Sequence, residues 1–274
     1  MKKLVIVAGP TAVGKTAYAV RLAQEAGTEV VSCDSRQFYR ELRIGVARPT
    51  DEELAAVPHH FIACRSVTEP YNIYDYEHDA MKVVDRLFAS HDTVIAVGGS
   101  GLYIDALRAT PAVLPSPTAE LRSMLQQMPL EEKRAQLRLL DPDYYARVDL
   151  RNPVRLQRAL EVCLTAGRPY SAVIADQQVA PRPFAIEMQV LSMEPAALRE
   201  RIDRRVDQMV ADGLLDEVRT LLPYRHLSTL RTVGYRELFP VLDGTKNLED
   251  AVAEIKLNTW HYARKQMTWC RRYI

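Results

Sequence analysis

The chain has 274 residues, 47% hydrophobic and 26% charged, which is the balance of a soluble globular protein and excludes a disordered, collagenous or coiled-coil chain. Its 36 Lys and Arg against 35 Asp and Glu leave a formal charge of +1, so the average alone points to no polyanion partner. The charge is uneven, however. Arg36, Arg40, Arg43 and Arg48 crowd one segment, Arg147, Arg151, Arg155, Arg158 and Arg168 another, and Lys256, Arg264, Lys265, Arg271 and Arg272 form a tail without an acid, whereas 51–92 is acidic.

Met1-Lys2-Lys3 ahead of an apolar run resembles the start of a secretory leader, but Gly9 interrupts the run too early. No apolar stretch is long enough to span a bilayer, so a cytoplasmic protein is expected. Cys33, Cys64, Cys163 and Cys270 show no paired spacing, which fits reduced thiols better than a zinc or disulfide framework.

Residues 4–8 are continuously apolar and partly β-branched, as in a strand covered on both faces. A turn and a helix over 16–26 follow, then short strands over 29–33 and 93–97, each running into a polar or glycine-rich loop. Strands alternating with helices predict an α/β fold with a doubly wound parallel sheet, and the glycine motif at 9–16 makes it a P-loop NTPase-like core. The Pro-rich stretch 111–117 reads as a linker, and 118–140 and 152–166 read as helices with no strand between them. A strand is expected over 184–192, then helices over 195–212, 214–222 and from 248 onward. The expected division is a core of 1–110 with 181–274 and a small helical insertion over 111–180.

Gly9-Pro10-Thr11-Ala12-Val13-Gly14-Lys15-Thr16 fits the P-loop spacing, directly after a strand and opening a helix. Glycines let backbone N–H groups turn around a diphosphate or nucleotide, and the helix N-terminus adds positive potential. Lys15 reaches the outer phosphate and the Thr16 hydroxyl can hold Mg²⁺. The strand over 93–97 ends in Gly98-Gly99-Ser100, without the acid that supports the metal in many NTPases. Asp34, after the second strand, is the nearest carboxylate; from its position alone it is a metal ligand, a general base or a structural N-cap.

GPTAVGKT at 9–16, CDSRQFYRELRIGVARPT at 33–50, HHFI at 59–62, GGSGLY at 98–103, NPVRLQRALEV at 152–162, GLLDEVRTL at 213–221, TVGYREL at 232–238 and NTWHYARKQMTW at 258–269 together resemble the tRNA dimethylallyltransferases, also called tRNA isopentenyltransferases. The resemblance runs in order along nearly the whole chain. It implies Mg²⁺-dependent transfer of a five-carbon prenyl group from dimethylallyl diphosphate to N6 of adenosine 37 in the tRNA anticodon loop. It implies catalytic roles for Asp34 as base, for Lys15, and for Ser100, which stands where the family usually has Thr. Diphosphate would be held by residues 9–16 and by Arg205, the favoured one of Arg201, Arg204 and Arg205.

The target adenine has to leave the loop stack, so RNA must be gripped on both sides. Asp34, Ser35, Arg36, Gln37 and Ser100 are expected at the base, and Arg122, Val154, Arg155, Leu156, Gln157 and Arg158 in the insertion at the RNA. The plain alternative for Arg155 and Arg158 is a solvated helix face. The basic tail with Trp260, Tyr262, Trp269 and Tyr273 suits RNA or, equally, a core-packing helix. Trp260 replaces a usual Arg and Ala63 a usual Asp. His59-His60 lacks the partners of a metal site. The other functions considered are a small-molecule P-loop kinase or adenylate prenyltransferase, and a nucleotide-dependent RNA-binding module without activity. A monomer is expected.

Overall fold

A computed structural model describes residues 1–177 and 181–274. It divides into two compact units, Met1–Ala109 with Pro181–Ile274, and Thr110–Ala180. The first unit carries a five-stranded parallel sheet of β1 (Lys3–Ala8), β2 (Val30–Ser32), β3 (His59–His60), β4 (Thr93–Gly98) and β5 (Ala185–Val190), in the order β3-β2-β4-β1-β5.

Period-two alternation sends Leu4, Ile6, Val31, Val94 and Ala96 to one face and Val5, Val7, Val30, Ile95 and Val97 to the other, and both faces are buried. Helix α1 (Lys15–Ala26) covers the second face through Ala19, Val20 and Ala23. The first face is larger. Against it pack α3 (Ile73–Phe88), α4 (Gly101–Arg108), α10 (Pro195–Ala211), α11 (Leu214–Thr220) and α13 (Leu248–Cys270). Two short helices complete this unit, α2 (Asp51–Ala56) and α12 (Phe239–Leu242). The doubly wound α/β architecture read from the sequence is therefore the observed one.

Segment 51–92, for which no element was expected, holds α2, β3 and α3. Thr50 and Asn72 start the two helices through capping boxes with Glu53 and Asp75. Strand β3 is two residues long and leaves almost no periodicity to read.

The second unit is all helical: α5 (Ala119–Gln127), α6 (Leu130–Leu140), α7 (Pro142–Tyr145), α8 (Pro153–Ala166) and α9 (Tyr170–Ala175). The single helix expected over 118–140 is two helices. Pro129 has no N–H to donate and disfavours a helical Met128, so the first helix stops and the second starts there. Leu125, Leu137, Val148, Leu156, Ala159 and Leu160 form this unit's core.

The C-terminal tail is helix α13, and most of its aromatic groups are committed inward. Trp269 Nε1 donates to the Tyr273 hydroxyl at 2.6 Å, and that hydroxyl donates to Asp105 Oδ1 at 2.7 Å. Trp260 is half-buried under the guanidinium of Arg199, 5.9 Å from the ring centre. The core-packing reading holds for Trp260, Trp269 and Tyr273; of the four aromatics, Tyr262 alone reaches the cleft described next.

Candidate functional site

In a parallel sheet the strands deliver their loops to one edge, and ligands bind outside those carboxyl ends. Here β1, β2 and β4 deliver the P-loop, Asp34 and Ser100 to the same edge. The P-loop backbone leaves no room for a side chain at Gly9. Its φ is 149°, and a Cβ there would lie 2.6 Å from the carbonyl oxygen of Leu191. Gly14, at φ 100°, opens α1 without a side-chain cap, so the first-turn amides stay available to an anion. Lys15 Nζ donates to the Pro10 carbonyl at 2.7 Å, which folds the lysine back over the loop. Removal from water brings its pKa down to about 8; the nearby Asp34 carboxylate opposes the shift and Arg205 adds to it.

Beyond β2, Asp34 Oδ1 accepts from the Arg36 N–H at 2.9 Å and closes a tight turn. Ser100 supports that turn from β4: its hydroxyl accepts from the Ser35 N–H at 3.1 Å and donates to Ser35 Oγ at 3.2 Å. Gln37 Nε2 donates to the Ala47 and Val46 carbonyls at 3.0 and 3.3 Å. Thr11, Ala12, Gly14, Lys15, Thr16, Asp34, Ser35, Arg36, Gln37 and Arg205 share one cleft of about 1120 Å³. Gly9, Pro10 and Val13 are buried behind the loop surface and shape it.

Two arginines of α10 line the cleft beside the P-loop. Arg205 lines the cleft, and its guanidinium is held below its usual pKa by desolvation and by Arg201. Arg201 lines the cleft too, and a Cβ on Gly14 would sit 3.8 Å from its Nη2. Arg204 points elsewhere and pairs with Glu200 at 3.5 Å. The guanidinium partner of Arg205 is thus Arg201, which the sequence places on the same face only through its i, i+4 spacing.

Helix α13 contributes two residues from the segment 258–269 whose contacts the sequence does not specify. Gln266, 6% exposed, accepts from the Thr11 N–H at 2.8 Å and donates to the Gly99 carbonyl at 2.9 Å, tying the P-loop to the turn after β4. One helical turn earlier, Tyr262 has its hydroxyl pushed up to about 12 by burial and by the Asp34 charge, against a hydrogen bond with Ser100. Gln266→Ala leaves the half-buried Thr11 N–H without its acceptor and strands the buried Gly99 carbonyl, the latter at a cost of about 1–3 kcal/mol. A lower urea midpoint is the expected result, and an unchanged midpoint would refute the staple.

In the helical unit, Asn152 caps α8 by accepting from the Arg155 N–H at 3.2 Å. Arg122, Val154 and Arg155 are exposed. Arg158 pairs with the buried Glu161 at 3.2 Å, and Gln157 donates to the same carboxylate at 3.1 Å. Leu156 was expected at the RNA. It is fully buried in this unit's own core, because its position on α8 faces Leu125 and Leu137, so its side chain offers nothing to a ligand.

Among the described residues no three His, Cys, Asp or Glu side chains gather as a metal cage. His60 Nε2 meets Glu29 at 2.5 Å and His59 Nδ1 meets the Val57 carbonyl at 2.8 Å. Among the described residues no helix is long and apolar enough to cross a membrane.

An IPP transferase family model matches residues 37–273. A tRNA dimethylallyltransferase 1 of Bacteroides thetaiotaomicron is 46% identical over 276 residues, covering 99% of this chain and 89% of that protein. The crystal structure of a tRNA isopentenylpyrophosphate transferase from Bacillus halodurans superposes with a TM-score of 0.72 at 34% identity, over 99% of this chain and 87% of the other. A eukaryotic dimethylallyltransferase acting on tRNA superposes with a TM-score of 0.84 at 26% identity, over 98% and 70%. With a parallel sheet delivering a P-loop and an aspartate to one cleft, Ser100 bracing the turn behind it, and with these likenesses along nearly its full length, the chain belongs to the IPP transferase family.

Proposed function

We propose that this chain transfers a dimethylallyl group from dimethylallyl diphosphate to N6 of adenosine 37 in tRNA, releasing diphosphate. The observation that carries the reading is a single cleft with Lys15, Arg201 and Arg205 at one end and the Asp34–Gln37 turn along its wall. Cations and loop amides stabilise the charge that develops on the departing diphosphate. The allylic C–O bond breaks with its electron pair going to diphosphate, the C–N6 bond forms, and the N6 proton passes to the Asp34 carboxylate.

The Thr16 hydroxyl and Asp34 are among the hard oxygens that line the cleft, a pair that fits Mg²⁺ held mainly by diphosphate and water. When bound, the ion neutralises diphosphate charge. Beyond the phosphate end, Gln37 and Arg36 meet the base or its neighbour, and the exposed Arg155 and Arg122 meet RNA phosphates. The protein works as a cytoplasmic monomer. The names of its relatives support tRNA over a free nucleotide as acceptor. Supplying labelled dimethylallyl diphosphate with unmodified tRNA or with AMP tests this: label in tRNA is expected, and label in AMP alone overturns it.

Arg155→Ala should weaken tRNA binding and lower the slope of log K against log salt by about 1, with no change for the diphosphate. Arg158→Ala is the poorer probe, because it also strips a partner from the buried Glu161. An unchanged salt slope for Arg155→Ala would return it to a solvated face.

A further inference from the structure

The loop over 43–47 has no regular structure of its own, and a single carboxylate from another element organises it. Glu217, on α11, accepts on Oε2 from the Ile44 N–H at 2.7 Å and the Arg43 N–H at 3.1 Å. On Oε1 it accepts from the Gly45 N–H at 3.1 Å and the Tyr235 hydroxyl at 2.6 Å. Three successive backbone donors on one carboxylate fix the path of the chain there. Tyr235, fully buried, presses its ring against Gly45, where a Cβ would lie 2.6 Å from the ring.

That path decides what Gln37 can offer. Both amide hydrogens of Gln37 go to the carbonyls of Val46 and Ala47. Two acceptors facing the same end of the side chain identify that end as the nitrogen, so the amide orientation follows from the network. Oε1 is then the group that Gln37 holds ready, and it pairs with a donor such as the exocyclic amine of adenine. A carbonyl edge in that place would meet an acceptor.

We propose that Glu217 is a positioning residue for tRNA recognition: it holds the 43–47 loop so that both amide hydrogens of Gln37 are occupied and Gln37 presents an acceptor alone to the base. This rests on Gln37 meeting a tRNA base. Asp216, the neighbouring acid, pairs with Arg219 on the surface and has no part in it.

Glu217→Gln keeps size but turns an acceptor into an NH₂ facing backbone N–H groups. Steady-state kinetics on Glu217→Gln, Gln37→Ala and the double variant, each with a thermal melt, test the assignment. Glu217→Gln is expected to raise the KM for tRNA about tenfold, the scale of one charge-assisted hydrogen bond. The KM for dimethylallyl diphosphate should stay within about twofold, and the double variant should be no worse than Gln37→Ala. A tRNA KM unmoved by Glu217→Gln, both KM values rising together with a fall in melting temperature, or additive losses in the double variant would overturn the proposal while leaving Gln37 at the base. A tRNA KM unmoved by Gln37→Ala would instead remove Gln37 from the base site, and the proposal with it.

Discussion

Lys15→Ala should lower prenyl transfer by at least about 10²–10³-fold, the loss seen when one preorganised charge-stabilising donor is removed. Lys15 Nζ already sits on the loop, donating to the Pro10 carbonyl at 2.7 Å, so its charge is in place before substrate arrives. Its removal leaves the α1 amides and Arg201 with Arg205 to hold the leaving group. Because Lys15 lies at the end proposed for diphosphate, filter binding should find tRNA affinity nearly unchanged. If affinity for tRNA fell as far as activity, the division of the cleft into a diphosphate end and a base end would be wrong.

The same lysine sets a pH dependence whose sign can be worked out. Its pKa of about 8 in the folded protein lies below the ordinary 10.5, because burial disfavours the charged form. If diphosphate pairs with the protonated amine as proposed, its dissociation constant should be flat below pH 8 and rise up to tenfold for each further unit. For folding, the unfolded chain holds the proton more tightly between 8 and 10.5, so this group's contribution becomes more favourable as pH rises through that window. Titrating diphosphate binding by calorimetry from pH 7 to 9.5 checks the first statement.

The parts of this site legible in the sequence are those whose chemistry is local. A P-loop is eight consecutive residues between a strand and a helix, and Asp34 follows a strand, two residues from the Arg36 N–H that it binds. The core strands are readable because both faces are buried and the apolar runs are therefore unbroken. The residues that escaped act over long separations. Gln266 holds Thr11 across 255 positions, and Glu217 holds Gly45 across 172. No local pattern marks a Gln or Glu for such a partner, and a resemblance supplies the segment but not the contact. Trp269 and Tyr273 show the converse: interleaved with bases they suit RNA, yet Trp269 donates to Tyr273, and Tyr273 to Asp105 on another helix. Leu156 was drawn to the RNA by its arginine neighbours, although its place on α8 points to the core.

Asp34→Asn is the substitution that separates the remaining readings of the acid. Oδ1 of the new side chain can still accept from the Arg36 N–H, so the turn that carries Ser35 to Gln37 is preserved. The structural role of Asp34 is thereby held constant, and only charge and proton affinity change. If Asp34 takes the N6 proton, kcat should fall by about 10²–10⁴-fold, the usual contribution of a general base, while both KM values move little. If Asp34 chiefly supports Mg²⁺, the variant should require more metal, and excess Mg²⁺ should restore the rate. Steady-state kinetics over a Mg²⁺ titration distinguish the two, with the base role predicting a deficit that no metal concentration repairs. Recovery at high Mg²⁺ would end the base assignment, and a rate within a few-fold of the parent chain would leave Asp34 as the residue that closes the turn.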